Sequence, residues 1–63
     1  MTDFWVIYKI QRDGTKKFLY RSFPKRWITD FWLAKRFTEA EAVKWLDENL
    51  TIGKRYTAEH YTL

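Results

Sequence analysis

An Asp-Gly pair set between two runs of aromatic and β-branched residues is the tightest constraint in this chain. Residues 4–10 (FWVIYKI) and 16–23 (KKFLYRSF) flank QRDGT, and Asp13-Gly14 in that position is a strong β-hairpin signal. Two turns compete. A two-residue type I′ loop puts Tyr8 opposite Leu19, whereas a type I turn with Gly14 as a G1 bulge pairs Gln11 with Thr15 and puts Tyr8 opposite Phe18. A slip of one residue exchanges the two faces of a strand, so the faces discriminate. The bulge register gathers Phe4, Val6, Tyr8 and Ile10 with Phe18 and Tyr20. It leaves Trp5, Ile7 and Leu19 on the other side with Lys9, Lys17 and Arg21. The type I′ register mixes cations into both rows, which favours the bulge.

The next strong signal is Thr38-Glu39-Ala40-Glu41, a capping box that starts a helix. Phe37 precedes it, placed to staple onto Ala42. Ala42, Val43, Leu46 and Leu50 then recur at helical spacing with Trp45 flanking the stripe. Glu39 and Glu41 suit the positive end of the helix dipole. Gly53 is the expected stop, and a last strand is expected over residues 56–61. Between hairpin and helix, Thr29 or Asp30 can cap a short turn through Phe31-Trp32-Leu33, followed by an extended 34–37. A longer helix from near Asp30 is the other reading, and the fresh capping box at Thr38 argues against it.

These elements predict one α+β domain over residues 1–63. A small antiparallel sheet, made of the hairpin, a short third strand if one forms, and the C-terminal strand, packs on one helix in the order ββ(β)αβ. Sixty-three residues is near the lower limit for an unstapled fold, and there is no cysteine to help. Thirteen aromatic residues offer the compensating core.

Several function classes are disfavoured. The chain has one histidine (His60) and one serine (Ser22), too little for a nucleophile, base and orienting group in so small a fold. His60 reads as a residue of the terminal strand. Glu39 and Glu41 are explained by the helix start, and no further acids or histidines match a metal site. With Gly14 and Gly53 as the two glycines, no phosphate-cradling loop exists and no cofactor is expected. The expectation is a non-enzyme. The start, MTDF, lacks a signal-peptide pattern, and the run from Phe4 to Tyr8 is too short to span a membrane, so a cytoplasmic protein is expected.

Charge is divided along the chain. Residues 1–37 carry nine Lys/Arg against three acids, while residues 38–50 carry four acids against Lys44. Within the basic part, cations precede an aromatic in Lys16-Lys17-Phe18, Lys25-Arg26-Trp27 and Lys35-Arg36-Phe37, and again in Lys54-Arg55-Tyr56. Alternation along a strand puts the aromatic on the face of the first cation. If Phe18, Phe37 and Tyr56 face the helix, then Lys17, Arg36 and Arg55 share an open face with Lys9, Arg21, Trp5 and Leu19. Such a face suits single-stranded nucleic acid, with charges for phosphates and rings for bases. It is equally a set of cationic stems shielding an apolar sheet and deterring edge pairing. A protein partner is favoured slightly over nucleic acid, because Trp5, Trp27, Phe31 and Trp32 exceed what a three-turn helix covers, and Trp and Arg anchor binding hot spots. Arg26 belongs to the same candidate set. A homodimer burying the open face is a further physical alternative.

Trp27-Ile28-Thr29-Asp30, then Ala34-Lys35-Arg36-Phe37, then Thr38-Glu39-Ala40-Glu41-Ala42 resembles small phage and prophage-encoded proteins of ββαβ type. Their recurring pattern is a Trp with Thr/Asp, an Ala-x-x-Phe and a Glu-Ala pair opening the helix. Ile28, which separates the Trp from the Thr-Asp, departs from it. The resemblance implies an accessory protein that inhibits or adapts host machinery by binding a host or phage protein. It implies no particular functional residues.

Overall fold

A computed structural model describes residues 2–22, 24–49 and 55–63. The elements are β1 (Asp3–Ile10), β2 (Lys16–Ser22), β3 (Lys25–Ile28), a 3-10 turn (Phe31–Leu33), α1 (Glu39–Glu48) and β4 (Thr57–Thr62). The strands form one antiparallel sheet ordered β3-β2-β1-β4, so the fold is α+β in the expected order, with the short third strand formed. Expectations for Phe23, Leu50, Gly53 and Lys54 lie outside the described residues. Among the described residues, no helix is long and apolar enough to cross a membrane.

The hairpin adopts the bulge register. Tyr8 stands opposite Phe18 and Lys9 opposite Lys17. The Gln11 amide donates to Thr15 O at 2.9 Å, and the Gly14 amide donates to Gln11 O at 2.9 Å. Gly14 has φ +89°, the left-handed conformation a G1 bulge demands and glycine adopts without a Cβ clash. The Asp13 carboxylate accepts from the Thr15 amide at 2.9 Å and closes the turn.

The side on which the helix packs is the reverse of the expected one. Ile7 and Leu19, both fully buried, form a cluster with Phe37, Ala42 and Trp45, so α1 covers the row that was expected to be open. Phe4, Val6, Phe18 and Ala34 form a second cluster on the opposite face, walled by Tyr8, Phe31 and Tyr61. Each row of β1 therefore buries apolar residues, Phe4 and Val6 on one face and Ile7 on the other, as in a sheet covered on two sides. Lys9, one of the lysines that suggested an open face, extends over a ring, its Nζ 4.5 Å from that of Trp27, and Lys25 Nζ lies 5.7 Å from the Trp45 ring.

The chain covers both faces by passing between two strands. β1 and β2 pair from Tyr8/Phe18 towards the turn and diverge beyond it. Residues 35–37 fill the gap. The Lys35 amide donates to Leu19 O at 2.8 Å, and Trp5 and Phe37 exchange two backbone bonds, each 2.8 Å. This crossing links the 3-10 turn on one face to the helix on the other.

In α1 the capping box is complete: the Glu41 amide donates to Thr38 Oγ1 at 3.2 Å, and the Thr38 amide to Glu41 Oε1 at 2.9 Å. Phe37 and Ala42 pack in one cluster, forming the staple. The buried stripe is Ala42, Trp45 and Leu46; Val43 is 60% exposed, contrary to expectation. The large Trp45 ring sets the rotation of the helix, because it buries more area than Val43 can.

Candidate protein-binding site

The 3-10 turn is built from its cap outward. Asp30, in extended backbone, accepts from the Trp32 amide through its carboxylate at 2.9 Å. The Leu33 amide donates to Asp30 O at 3.2 Å and the Ala34 amide to Phe31 O at 3.0 Å, after which Lys35 joins the sheet. Phe31 is the internal anchor. Its ring lies 4.6 Å from Tyr61, 5.6 Å from Phe18 and 6.3 Å from Phe4.

With Phe31 held inward, the next two side chains turn out. Trp32 is 66% exposed and Leu33 58% exposed, and the Trp32 ring meets the Phe31 ring edge-on at 5.4 Å. Arg36 lies on the same face, its guanidinium 4.4 Å from the Phe4 ring. A bulky aromatic and a branched aliphatic thus stand on a backbone pinned through the amides of residues 32–35, with an arginine directly after it.

The other expected contact residues fall into two groups. Trp5 is half-buried, its ring stacked 5.1 Å from His60 on the helix face. Leu19 has no exposed surface and belongs to the core. Lys17 sits on that same face opposite Lys9. Trp27 is half-buried, stacked on Tyr56 at 5.3 Å and edge-on to Trp45 at 6.1 Å. The face expected to stack nucleic-acid bases is therefore the one the helix covers. Arg21 and Arg26 are exposed and paired across β2 and β3, and Arg55 is exposed beside β4. Leu33 and Tyr20 were missed as surface apolar residues; the Asp30 cap, which fixes the phase of the turn, was the signal for Leu33.

The facing rule for the triplets holds in part. Lys16 lies 5.9 Å from the Phe18 ring and Lys35 5.6 Å from that of Phe37, so the first cation does share the face of its aromatic. Phe18, however, faces away from the helix. Ser22 and His60 lie on β2 and β4, separated by β1. His60 Nε2 is 4.0 Å from the Asp3 carboxylate at the exposed sheet edge. Among the described residues no group of three or more His, Cys, Asp or Glu could hold a metal ion. Burial, then the neighbouring Glu59, pushes the Tyr61 phenol above its ordinary value.

Comparison of the chain with protein-family models, with curated proteins and with solved structures finds no match.

Proposed function

We propose that this chain is a non-catalytic binding module that associates stoichiometrically with a protein through the Trp32–Leu33 turn. The observation that carries this reading is the exposure of Trp32 at 66% beside Leu33 at 58% on a hydrogen-bonded turn. Trp and Arg dominate binding hot spots, and a backbone already held in one conformation loses little entropy on association. Arg36, on the same face, adds a planar donor for a carboxylate or backbone carbonyl. The resemblance to phage accessory proteins directs the choice of target to a host or phage protein in the host cytoplasm, with an inhibitory or regulatory outcome.

Affinity capture from a bacterial lysate, with and without nuclease, tests this. The wild-type chain should retain a stoichiometric protein after nuclease treatment. Trp32→Ser should lower retention by about tenfold or more, as expected for a hot-spot residue, and Leu33→Ser should lower it less, with unchanged circular dichroism. Equal retention by wild type and Trp32→Ser, or recovery of nucleic acid alone, would defeat the proposal.

A further inference from the structure

A second site lies at the irregular end of the β2–β3 pair. Phe18 stands opposite Ile28 and Leu19 opposite Trp27, but the next pairs are Arg21 opposite Arg26 and Ser22 opposite Lys25. Tyr20 is therefore an extra residue on β2, a β-bulge. In an uninterrupted ladder Tyr20 would oppose Arg26, and Arg21 would oppose Lys25 on the helix face. The bulge moves Arg21 to the opposite face and sets it directly across from Arg26. Two arginines are thus placed opposite one another on one face by a local departure from regular pairing.

Like charges directly opposite on one sheet face are destabilising. Among the described residues, neither arginine is paired with a carboxylate; Glu59 meets Lys16 and Asp3 meets His60. The three acids of residues 1–37 are Asp3, Asp13 and Asp30, placed at the start of β1, in the hairpin turn and at the cap of the 3-10 turn. The charge is left for an external anion.

The surroundings form a container for one. Tyr20, Arg21, Arg26, Trp27 and Ile28 line a pocket of 290 Å³. That is near the lower limit for small-molecule sites, too small for a large ligand but adequate for a tetrahedral anion and the start of the group that carries it. Two guanidinium forks offer paired donors to several oxygens of one phosphate, the geometry in which arginine surpasses lysine. Tyr20, 44% exposed, and half-buried Ile28 give the carrier an aromatic and an aliphatic wall.

We infer that the Arg21–Arg26 pocket binds a phosphate monoester dianion. The site is separate from the Trp32 turn and needs no protein partner, so it stands or falls independently of the proposed function.

Nuclear magnetic resonance of the purified chain tests it, reading the Tyr20 amide and the arginine Nε–H signals. Inorganic phosphate is the first probe, against chloride at equal ionic strength. Phosphate should give saturable shifts localised to Tyr20, Arg21 and Arg26, and Arg21→Gln or Arg26→Gln should weaken binding at least tenfold. Arg21→Lys, which keeps the charge but loses the fork, should bind more weakly than wild type. Phosphoserine and a nucleoside monophosphate form two further arms; tighter binding of the former assigns the carrier to a modified side chain, of the latter to a nucleotide. Shifts that do not saturate, that chloride reproduces, or that persist in both Gln variants would overturn the inference. Trp32→Ser should leave phosphate binding unchanged.

Discussion

Single side chains govern the acid end of the stability profile. The Thr38 amide, followed by its hydroxyl, holds the Glu41 carboxyl below its ordinary value of 4.5. Hydrogen bonds from Thr15 hold Asp13 below its ordinary 3.8. A group whose value is lowered by folding contributes stability above its unfolded value and loses it as pH falls through the folded value. The stability these two groups contribute should therefore be complete only well above pH 4.5 and decline as pH falls through and below that value. Glu41→Gln keeps the capping geometry, since glutamine serves at that helix position, but removes one titrating group. Urea titrations at stepped pH should show a shallower acid decline in Glu41→Gln than in wild type; identical profiles would contradict a role for Glu41 in that decline. Glu41 and Thr38 were readable directly, because a capping box is a relation between residues three apart.

At the scale of elements, neighbouring segments with similar composition have opposite duties. Leu19 in β2 has no exposed surface, whereas Trp32 in the 3-10 turn is 66% exposed. Both are large apolar residues, and apolar character alone does not foretell that one is core and the other surface. Leu19→Ala should destabilise the fold by about 3 kcal/mol, combining lost transfer energy with a cavity between sheet and helix. Trp32→Ser should change stability by less than about 0.5 kcal/mol, as for an exposed surface position. Parallel denaturant titrations of the two variants check this pair of values. A large loss for Trp32→Ser would mean that the ring supports the turn and is not displayed for a partner. The turn itself was legible from Asp30 and from the Thr38 box. Its position against Phe4, Phe18 and Tyr61 was not, because those contacts join residues far apart in sequence.

For the molecule as a whole, the passage of residues 35–37 between β1 and β2 ties the two apolar clusters together. Phe37 completes the helix-side cluster while Ala34, three residues earlier, belongs to the opposite one. Both covers are joined to the sheet through this crossing, where Trp5 and Phe37 form an antiparallel bridge. The Trp5 and Phe37 amides should accordingly exchange with solvent among the slowest in the molecule and in step with global unfolding. Hydrogen exchange measured across a denaturant series tests this; fast exchange at Phe37 with persisting protection in the hairpin would show that the crossing opens by itself. A chain of 63 residues without disulfides gains most from this arrangement, since one sheet serves two cores.

The sequence by itself determined the parts set by near neighbours. Asp13-Gly14 marked the hairpin, the distribution of cations between the two faces chose the bulge register, and Thr38 to Glu41 opened the helix. Only the tertiary structure decided which face the helix takes. Phe4, Val6 and Tyr8 offered one apolar row and Trp5 and Ile7 another, and nothing within β1 separates them. The apparent evidence for an open face, its lysines, misled because a lysine stem packs along a ring as readily as its ammonium reaches water. The Arg21–Arg26 pair was hidden for a related reason: it exists through one extra residue in β2, and a bulge shows itself in pairing with β3, not in the composition of either strand.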